Sequence, residues 1–419
     1  VDTLRPDHLG CYGYKRDTSP NVDNFTKGGL LFENCFSQAP ETGPSCASFL
    51  SGFLPHETKV VDNKTIVHSN VPMLAEILKE AGYRTYGIVS NYVLRNGQGF
   101  EQGFDIYDAQ MNERELNRRN ICERIAEKTS ESVMSILKQH SGEGFFLWVH
   151  YQDPHGPYTP KPPYDKKFVD PNKEPVYLKF NNSFSGRGGI PSYQRLQDNK
   201  DYNYYVSQYD GEIGYFDEHF GRLIAFLKQI HVYDNSLIIF TADHGEAMGE
   251  HKCYFAHGHG LTNDLIHVPL VIKYKDILRG RRKDFVQHLD IVPTILQLLN
   301  IKKERLLYRG KNLFIEQPGS AIIFSELKKE NFSLISGRLK LLIYGNKAFL
   351  FDLQEDFFEE KTLANQILYQ NHLYYMVSQV KENRNKDLLG LDTIIQETPE
   401  LTQEEKEKLR SLGYITERE

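Results

Sequence analysis

Cysteine is scarce in this 419-residue chain: Cys11, Cys35, Cys46, Cys122 and Cys253 are scattered, odd in number and without CxxC spacing. That pattern excludes a disulfide framework of the small secreted type and a cysteine-rich zinc module, leaving room for one bridge at most. An excess of positive charge is missing too, since 50 Lys and Arg face 56 Asp and Glu for a net charge of −6. No basic footprint for nucleic acid results. There is no run of about eighteen apolar residues, so this chain offers no membrane span. Internal repeats and low-complexity tracts are absent, which sets aside solenoids and arrays.

What is present is ample chain for a sizeable core, either as one large α/β unit or with a small appended subdomain. Residues 72–82 read as a helix and 84–90 as a strand; 144–150 and 236–242 read as buried strands. Apolar residues at helical spacing predict helices over 115–139 and 205–230. Such alternation suggests a parallel sheet. After residue 319, strand-like pieces at 321–325, 332–336, 339–344 and 348–353 predict a small antiparallel subdomain. Residues 156–204 are rich in Pro, Gly, Asn and Tyr and too long for a simple connection. They read as the rim of a substrate pocket or as a passive surface insertion.

Three distant segments carry the chemistry. Thr42 precedes Gly43-Pro44-Ser45-Cys46 at the start of an expected short helix, where free N–H groups and the helix dipole favour a phosphate or sulfate oxygen. It reads as a nucleophile seat or as an ordinary helix cap. Asp2 stands where an opening strand hands over to a loop, and the 236–242 strand delivers Asp243 and His244 at its carboxyl end. Ligands of open α/β sheets gather outside the carboxyl ends of strands. Asp2, Thr42, Asp243 and His244 are therefore expected to meet around one divalent ion.

The ordered set of motifs resembles the sulfatase branch of the alkaline phosphatase superfamily almost end to end. VDTLRPDHLGCYGY (1–14) is similar to the family's opening metal loop, TGPSCASFLSG (42–52) to its nucleophile turn and VHYQDPHGPY (149–158) to its central histidine segment. FTADHGEAMGEH (240–251) is similar to the second metal loop, and IHVPLVI (266–272), HLDIVPTILQLL (288–299), LFDLQED (350–356) and EEKEKLRSLGY (404–414) follow in family order. The resemblance implies a mixed, mainly parallel sheet flanked by helices. It also implies an anion-contacting or leaving-group role for His155, and a phosphate-binding or second-metal role for His257, with His259 competing. His150 is read as strand packing or as support behind the site.

Position 42 departs from common sulfatase practice, which converts Cys or Ser to formylglycine; threonine carries an extra methyl on the reacting carbon and is not a known route to that aldehyde. Cys46 stands where those enzymes usually have Arg, and Ser90-Asn91-Tyr92-Val93 replaces a Gly-Lys-x-His segment. Relatives that use threonine resemble phosphodiesterases and phosphoryl or phosphoethanolamine transferases, in which the hydroxyl attacks phosphorus. These also place an asparagine downstream on a non-bridging oxygen, matching Asn63, which could equally be a simple turn residue. Two carboxylates, a hydroxyl and an imidazole favour manganese or zinc, with calcium possible; Thr3, where many sulfatases have a second aspartate, weakens calcium further.

The expectation is thus a catalytic domain over 1–318, a small α+β subdomain over 319–385 and a helical tail over 386–419. Its reaction is metal-dependent hydrolysis of phosphate esters, diesters above all, through a covalent Thr42 intermediate and without formylglycine. Thr42 and His155 are the catalytic candidates, and Asn63 and His257 bind substrate. The substrate is a small-molecule or headgroup ester. Sulfate-ester hydrolysis, phosphoryl or phosphoethanolamine transfer and a catalytically silent binding role are the alternatives. Compartment and oligomeric state are open: the chain reads as a soluble domain starting inside a strand at Val1, with room for a preceding targeting segment.

Overall fold

Apolar runs settle as strands where both faces can be covered. In the computed structural model, which describes residues 1–111, 113–114, 122–140, 144–275, 279–302, 306–315, 322–386, 388–389, 402–404 and 407, two such sheets carry the expected site. The first orders its strands Gly280–Gln287, Leu30–Phe36, His267–Tyr274 and Leu237–Thr241. Leu30–Phe36 runs parallel to the first of these and antiparallel to His267–Tyr274, which is antiparallel to Leu237–Thr241. The second sheet is fully parallel, with Arg84–Val89 between Ile106–Asp108 and Phe145–His150. The architecture is therefore mixed α/β, as expected.

The two sheets meet at their carboxyl ends through the first two residues. The Asp2 N–H donates to the Tyr151 carbonyl at 2.9 Å, and the Asp243 N–H donates to the Val1 carbonyl at 3.2 Å. Asp2 is thereby held between the ends of Phe145–His150 and Leu237–Thr241.

Helices cover both sheets. Tyr202–Gln229 buries Tyr205, Tyr209, Ile213, Phe216, Phe220, Leu223 and Leu227 along one stripe, and the Asp201 carboxylate caps its start by accepting the Asn203 N–H. Ala126–Gln139 lies against it and contributes Val133 and Leu137 to the same core. The expected helix over 115–139 is corrected to this shorter one. Ile125 is extended, and Cys122–Glu123 pairs antiparallel with Glu113–Arg114. The Asp108 carboxylate holds the Arg124 guanidinium at 2.8 Å, fixing the approach to the helix outside a helical path; residues 115–121 lie outside the described residues. The other expected elements appear within one to three residues of their anticipated ends, as Leu74–Glu80, Arg84–Val89 and Phe145–His150 illustrate.

At the C-terminal side, Ile322–Leu327, Asn331–Ser336, Leu339–Tyr344 and Lys347–Asp352 form an antiparallel meander. One face packs Leu334, Leu341 and Leu350 on Met376 and Val380 of helix Gln370–Asn385. The other buries Ile323, Leu327, Ile335 and Leu342 with Leu261, Leu265 and Ile266, so the meander shares a core with the segment following Asp243. The helical tail expected over 386–419 falls almost wholly outside the described residues. No helix among the described residues is long and apolar enough to cross a membrane.

Ile335 is fully buried in that shared cluster. Ile335→Ala is expected to lower the unfolding free energy by about 2–5 kcal/mol in denaturant titration. A single transition is expected for both variant and parent; a separate early transition in the parent would show that the meander melts alone.

Candidate active site

The helix expected to carry the nucleophile places Thr42 at its start. Thr42–Ser51 is almost entirely buried, and Thr42 is its first residue instead of the turn residue before it. The residue in the capping position, Glu41, makes no side-chain cap. The Asn63 carbonyl oxygen instead accepts the Gly43 N–H at 2.7 Å. The Ser45 hydroxyl donates to the Asp243 carbonyl at 2.6 Å, tying this helix to the loop after strand Leu237–Thr241. Thr42 Oγ1 consequently lies 3.4 Å from His244 Nε2.

Asp2, Thr42, Asp243 and His244, the four residues expected around one ion, converge and are all buried. His244 Nε2 is 3.9 Å from Asp2 Oδ1 and 3.6 Å from Asp243 Oδ2. His244 Nδ1 lies 2.9 Å from the Gly245 carbonyl, which can only accept, so Nδ1 carries a proton and Nε2 faces the cluster. Asp243 Oδ1 accepts the Thr3 N–H at 3.2 Å and the His244 N–H at 2.9 Å. Thr3 adopts a left-handed conformation at φ 53°, an unusual backbone for a β-branched residue, and so turns its N–H onto that oxygen.

Two carboxylates at one dry point oppose each other electrostatically. Burial raises the Asp2 pKa well above the aspartate range and Asp243 raises it further. Burial pushes Asp243 the same way, but His244 and His150 outweigh it and hold that carboxyl below its ordinary value. Asp2 Oδ1 and Asp243 Oδ2 are buried without a hydrogen-bond partner. The set Asp2, Asp243 and His244 brings one donor atom from each residue within 4.8 Å of the others. Unpartnered oxygens and an imidazole nitrogen facing them fit a divalent cation.

Other expected residues also arrive. The His257 ring lies 4.6 Å from that of His244, and the His155 ring 5.2 Å from that of His257. Burial lowers both of their pKa values well below the usual histidine range, aided for His155 by His257 and His244 and for His257 by His244. Both are therefore neutral rings. His257 Nδ1 is 3.1 Å from Glu246, whose carboxyl burial raises to about 8. His259 instead meets the Phe184 carbonyl at 3.2 Å, in the 156–204 segment, which separates it from the cluster. Asn63 sits beside Thr42 through its bond to Gly43, and its Nδ2 is buried without a partner.

Three further contributors were not among the catalytic, binding or metal residues expected from the sequence. His150, expected to be packing or support, places Nε2 at 3.8 Å from Asp2 and 3.7 Å from Asp243, with both ring nitrogens unpartnered. The Asn91 amide donates to Asp2 Oδ2 at 2.5 Å. Each lies at or just beyond the carboxyl end of a parallel strand, which is the signal that could have found them. Arg5 is the third: it donates to the Glu246 carbonyl at 2.9 Å while paired with Asp7 and Glu250, locking the first loop to the second.

The buried donor set thus draws on the opening loop, the nucleophile helix and the loop after Leu237–Thr241, and the model of the sulfatase family matches residues 1–301. The chain belongs to the sulfatase family. That family, a branch of the alkaline phosphatase superfamily, consists of ester hydrolases. Among its relatives, the uncharacterized sulfatase YidJ of Escherichia coli (strain K12) is 24% identical over 360 residues, 77% of this chain and 71% of its own. The choline-sulfatase of Rhizobium meliloti (strain 1021) is 27% identical over 338 residues, covering 69% of this chain and 64% of its own. The fold matches the phosphonate monoester hydrolase of Agrobacterium radiobacter with a TM-score of 0.73 at 19% identity, covering 92% of this chain and 94% of that one. The chain spans between about three fifths and seven tenths of the length of such curated sulfatases.

Beside His155, a small pocket is lined by Glu123, Asp153 and Glu212 with Arg124 and Lys161. Burial, then Glu123, raises Asp153 to about 7. The folded protein therefore holds a proton there that an unfolded chain, with an aspartate pKa near 4, has lost. This contribution to stability is complete below about pH 4 and is lost as pH rises through about 7, at about 1.4 kcal/mol per pH unit between them. Asp153→Asn is expected to flatten that decline when denaturation is compared at pH 5 and pH 7.5; parallel slopes in variant and parent would contradict the assignment.

Proposed function

We propose that this sulfatase-family protein hydrolyses phosphate esters, diesters above all, through a covalent phospho-Thr42 intermediate and without formylglycine. The observation that carries the reading is the identity of residue 42: a threonine, 3.4 Å from His244 Nε2 and buried with Asp2 and Asp243. Its extra methyl blocks the route by which Cys or Ser becomes the aldehyde, whereas its hydroxyl is competent for attack at phosphorus.

Asp2, Asp243 and His244, with the Thr42 hydroxyl, would hold the divalent ion, manganese or zinc in preference to calcium. When bound, such an ion lowers the pKa of a neighbouring hydroxyl and neutralises charge on the transferring group. Thr42 Oγ1 forms a bond to phosphorus as the bond from phosphorus to the leaving alcohol breaks, and the proton that Thr42 gives up passes through water to the departing oxygen. The N–H of His155, a neutral ring, hydrogen-bonds the departing oxygen and stabilises the charge developing on it. The Asn63 amide, buried and unpartnered at Nδ2, is placed to donate to a non-bridging oxygen. His257, steadied by Glu246, is the second donor to the transferred group. Water then attacks phosphorus, and Thr42 Oγ1 leaves with a proton to restore the hydroxyl.

Sulfate-ester hydrolysis is the second reading, favoured by the sulfatases among the relatives. The phosphonate monoester hydrolase with the same fold keeps phosphorus chemistry within the architecture's range. A panel of nitrophenyl sulfate, phosphate, phosphodiester and phosphonate substrates decides between them. The phosphodiester is expected to turn over fastest, and preference for the sulfate would overturn the proposal.

Thr42→Ala is expected to lower phosphodiesterase kcat by about 10³-fold or more, since the nucleophile itself is gone. Unchanged turnover would eliminate the covalent scheme. His155→Ala is expected to cost about 10²–10⁴-fold with poor leaving groups and far less with nitrophenol, which departs without a proton; an equal loss with both would remove the leaving-group role. Chelation is expected to abolish turnover, with manganese or zinc restoring it. Restoration by calcium alone would reverse the preferred metal.

A further inference from the structure

Cys46 lies one helical turn beyond Thr42. Residues four apart project from the same face of a helix, so the thiol and the hydroxyl turn toward the same centre. One donor atom from each of Cys46, His150 and Asp243 lies within 4.8 Å of the other two, and all three residues are buried. Packing against Val89, Phe100 and Trp148 accounts for a buried thiol. It does not account for His150, whose two ring nitrogens are both buried with no hydrogen-bond partner, nor for the unpartnered Asp243 Oδ2.

We infer that Cys46, His150 and Asp243 form a second cation position adjoining the Asp2, Asp243 and His244 set, and that it takes a thiolate-binding metal of the zinc class. Asp243 belongs to both sets and Asp2 lies 3.8 Å from His150 Nε2, so the two positions adjoin and share the Asp243 carboxylate. A sulfur, an imidazole and a carboxylate make a softer set than two carboxylates, a hydroxyl and an imidazole, which selects zinc or cobalt over calcium and magnesium. Binding forms a metal–sulfur bond and releases the Cys46 thiol proton to solvent, because the thiolate is the ligand. The position keeps a divalent charge beside Thr42 in a protein that has Cys46 where sulfatases usually have Arg.

This inference rests on a metal at the Asp2, Asp243 and His244 set and is independent of whether phosphate or sulfate is cleaved. Metal-free protein, reloaded with Co²⁺ or Zn²⁺, tests it without an activity measurement. The parent is expected to bind two equivalents and, with cobalt, to show a thiolate-to-cobalt charge-transfer band in the near ultraviolet. Cys46→Ser and His150→Gln are each expected to bind one equivalent and to lose the band. X-ray absorption of the zinc-loaded parent needs no variant and is expected to show a sulfur neighbour at about 2.3 Å. One equivalent in the parent, oxygen and nitrogen neighbours only, or a band that survives in Cys46→Ser would overturn the second position while leaving the first intact. No bound metal at all would overturn both.

Discussion

Two carboxylates, those of Asp2 and Asp243, are held at one point from which water is excluded, and the structure around them is organised by the cost of keeping them there. Like charges in a dry site cannot both persist without compensation. The chain supplies part of it as directed hydrogen bonds: the Asn91 amide onto Asp2, and the Thr3 and His244 N–H groups onto Asp243. The remainder is left to His244 and His150 and to the cation that the unpartnered oxygens fit. The Arg5 guanidinium, spread over Asp7, Glu250 and the Glu246 carbonyl, keeps the two loops in register so that the carboxylates cannot drift apart.

Thr42 gains its placement from this arrangement and not from its own neighbourhood in sequence. A threonine at the start of a helix is usually a cap. Here Asn63 satisfies the Gly43 N–H, and Ser45 fastens the helix to the Asp243 loop, so the hydroxyl is directed at His244. The chain is similar in sequence to a choline-sulfatase, and its fold matches that of a phosphonate monoester hydrolase.

Much of this was legible in the sequence because strand carboxyl ends collect ligands. Leu237–Thr241 reads as a buried strand, so Asp243 and His244 follow from position alone. The order of family motifs then placed Asp2, His155 and His257. What escaped was of two kinds. His150 ends a strand of aromatic and aliphatic residues, and its alternation reads as packing; only the spatial placing of Asp2 beside it reveals both nitrogens as unsatisfied. The helix expected from residue 115 failed because apolar residues at helical spacing do not reveal that Asp108 holds Arg124, with Ile125 extended before the helix begins. Contacts between residues remote in sequence decided both cases, and periodicity carries no information about them.

The bond from Thr3 to Asp243 closes 240 residues of chain. Loop closure of that span comes late in folding, after local helices and neighbouring strands have formed. The nucleophile helix, the histidine segment and the first loop are all made earlier during synthesis than the loop that completes them. Assembly therefore has a fixed order: partly folded chains hold Thr42 and Asp2 apart from Asp243 and His244, and the buried cluster exists only when the tertiary structure is complete.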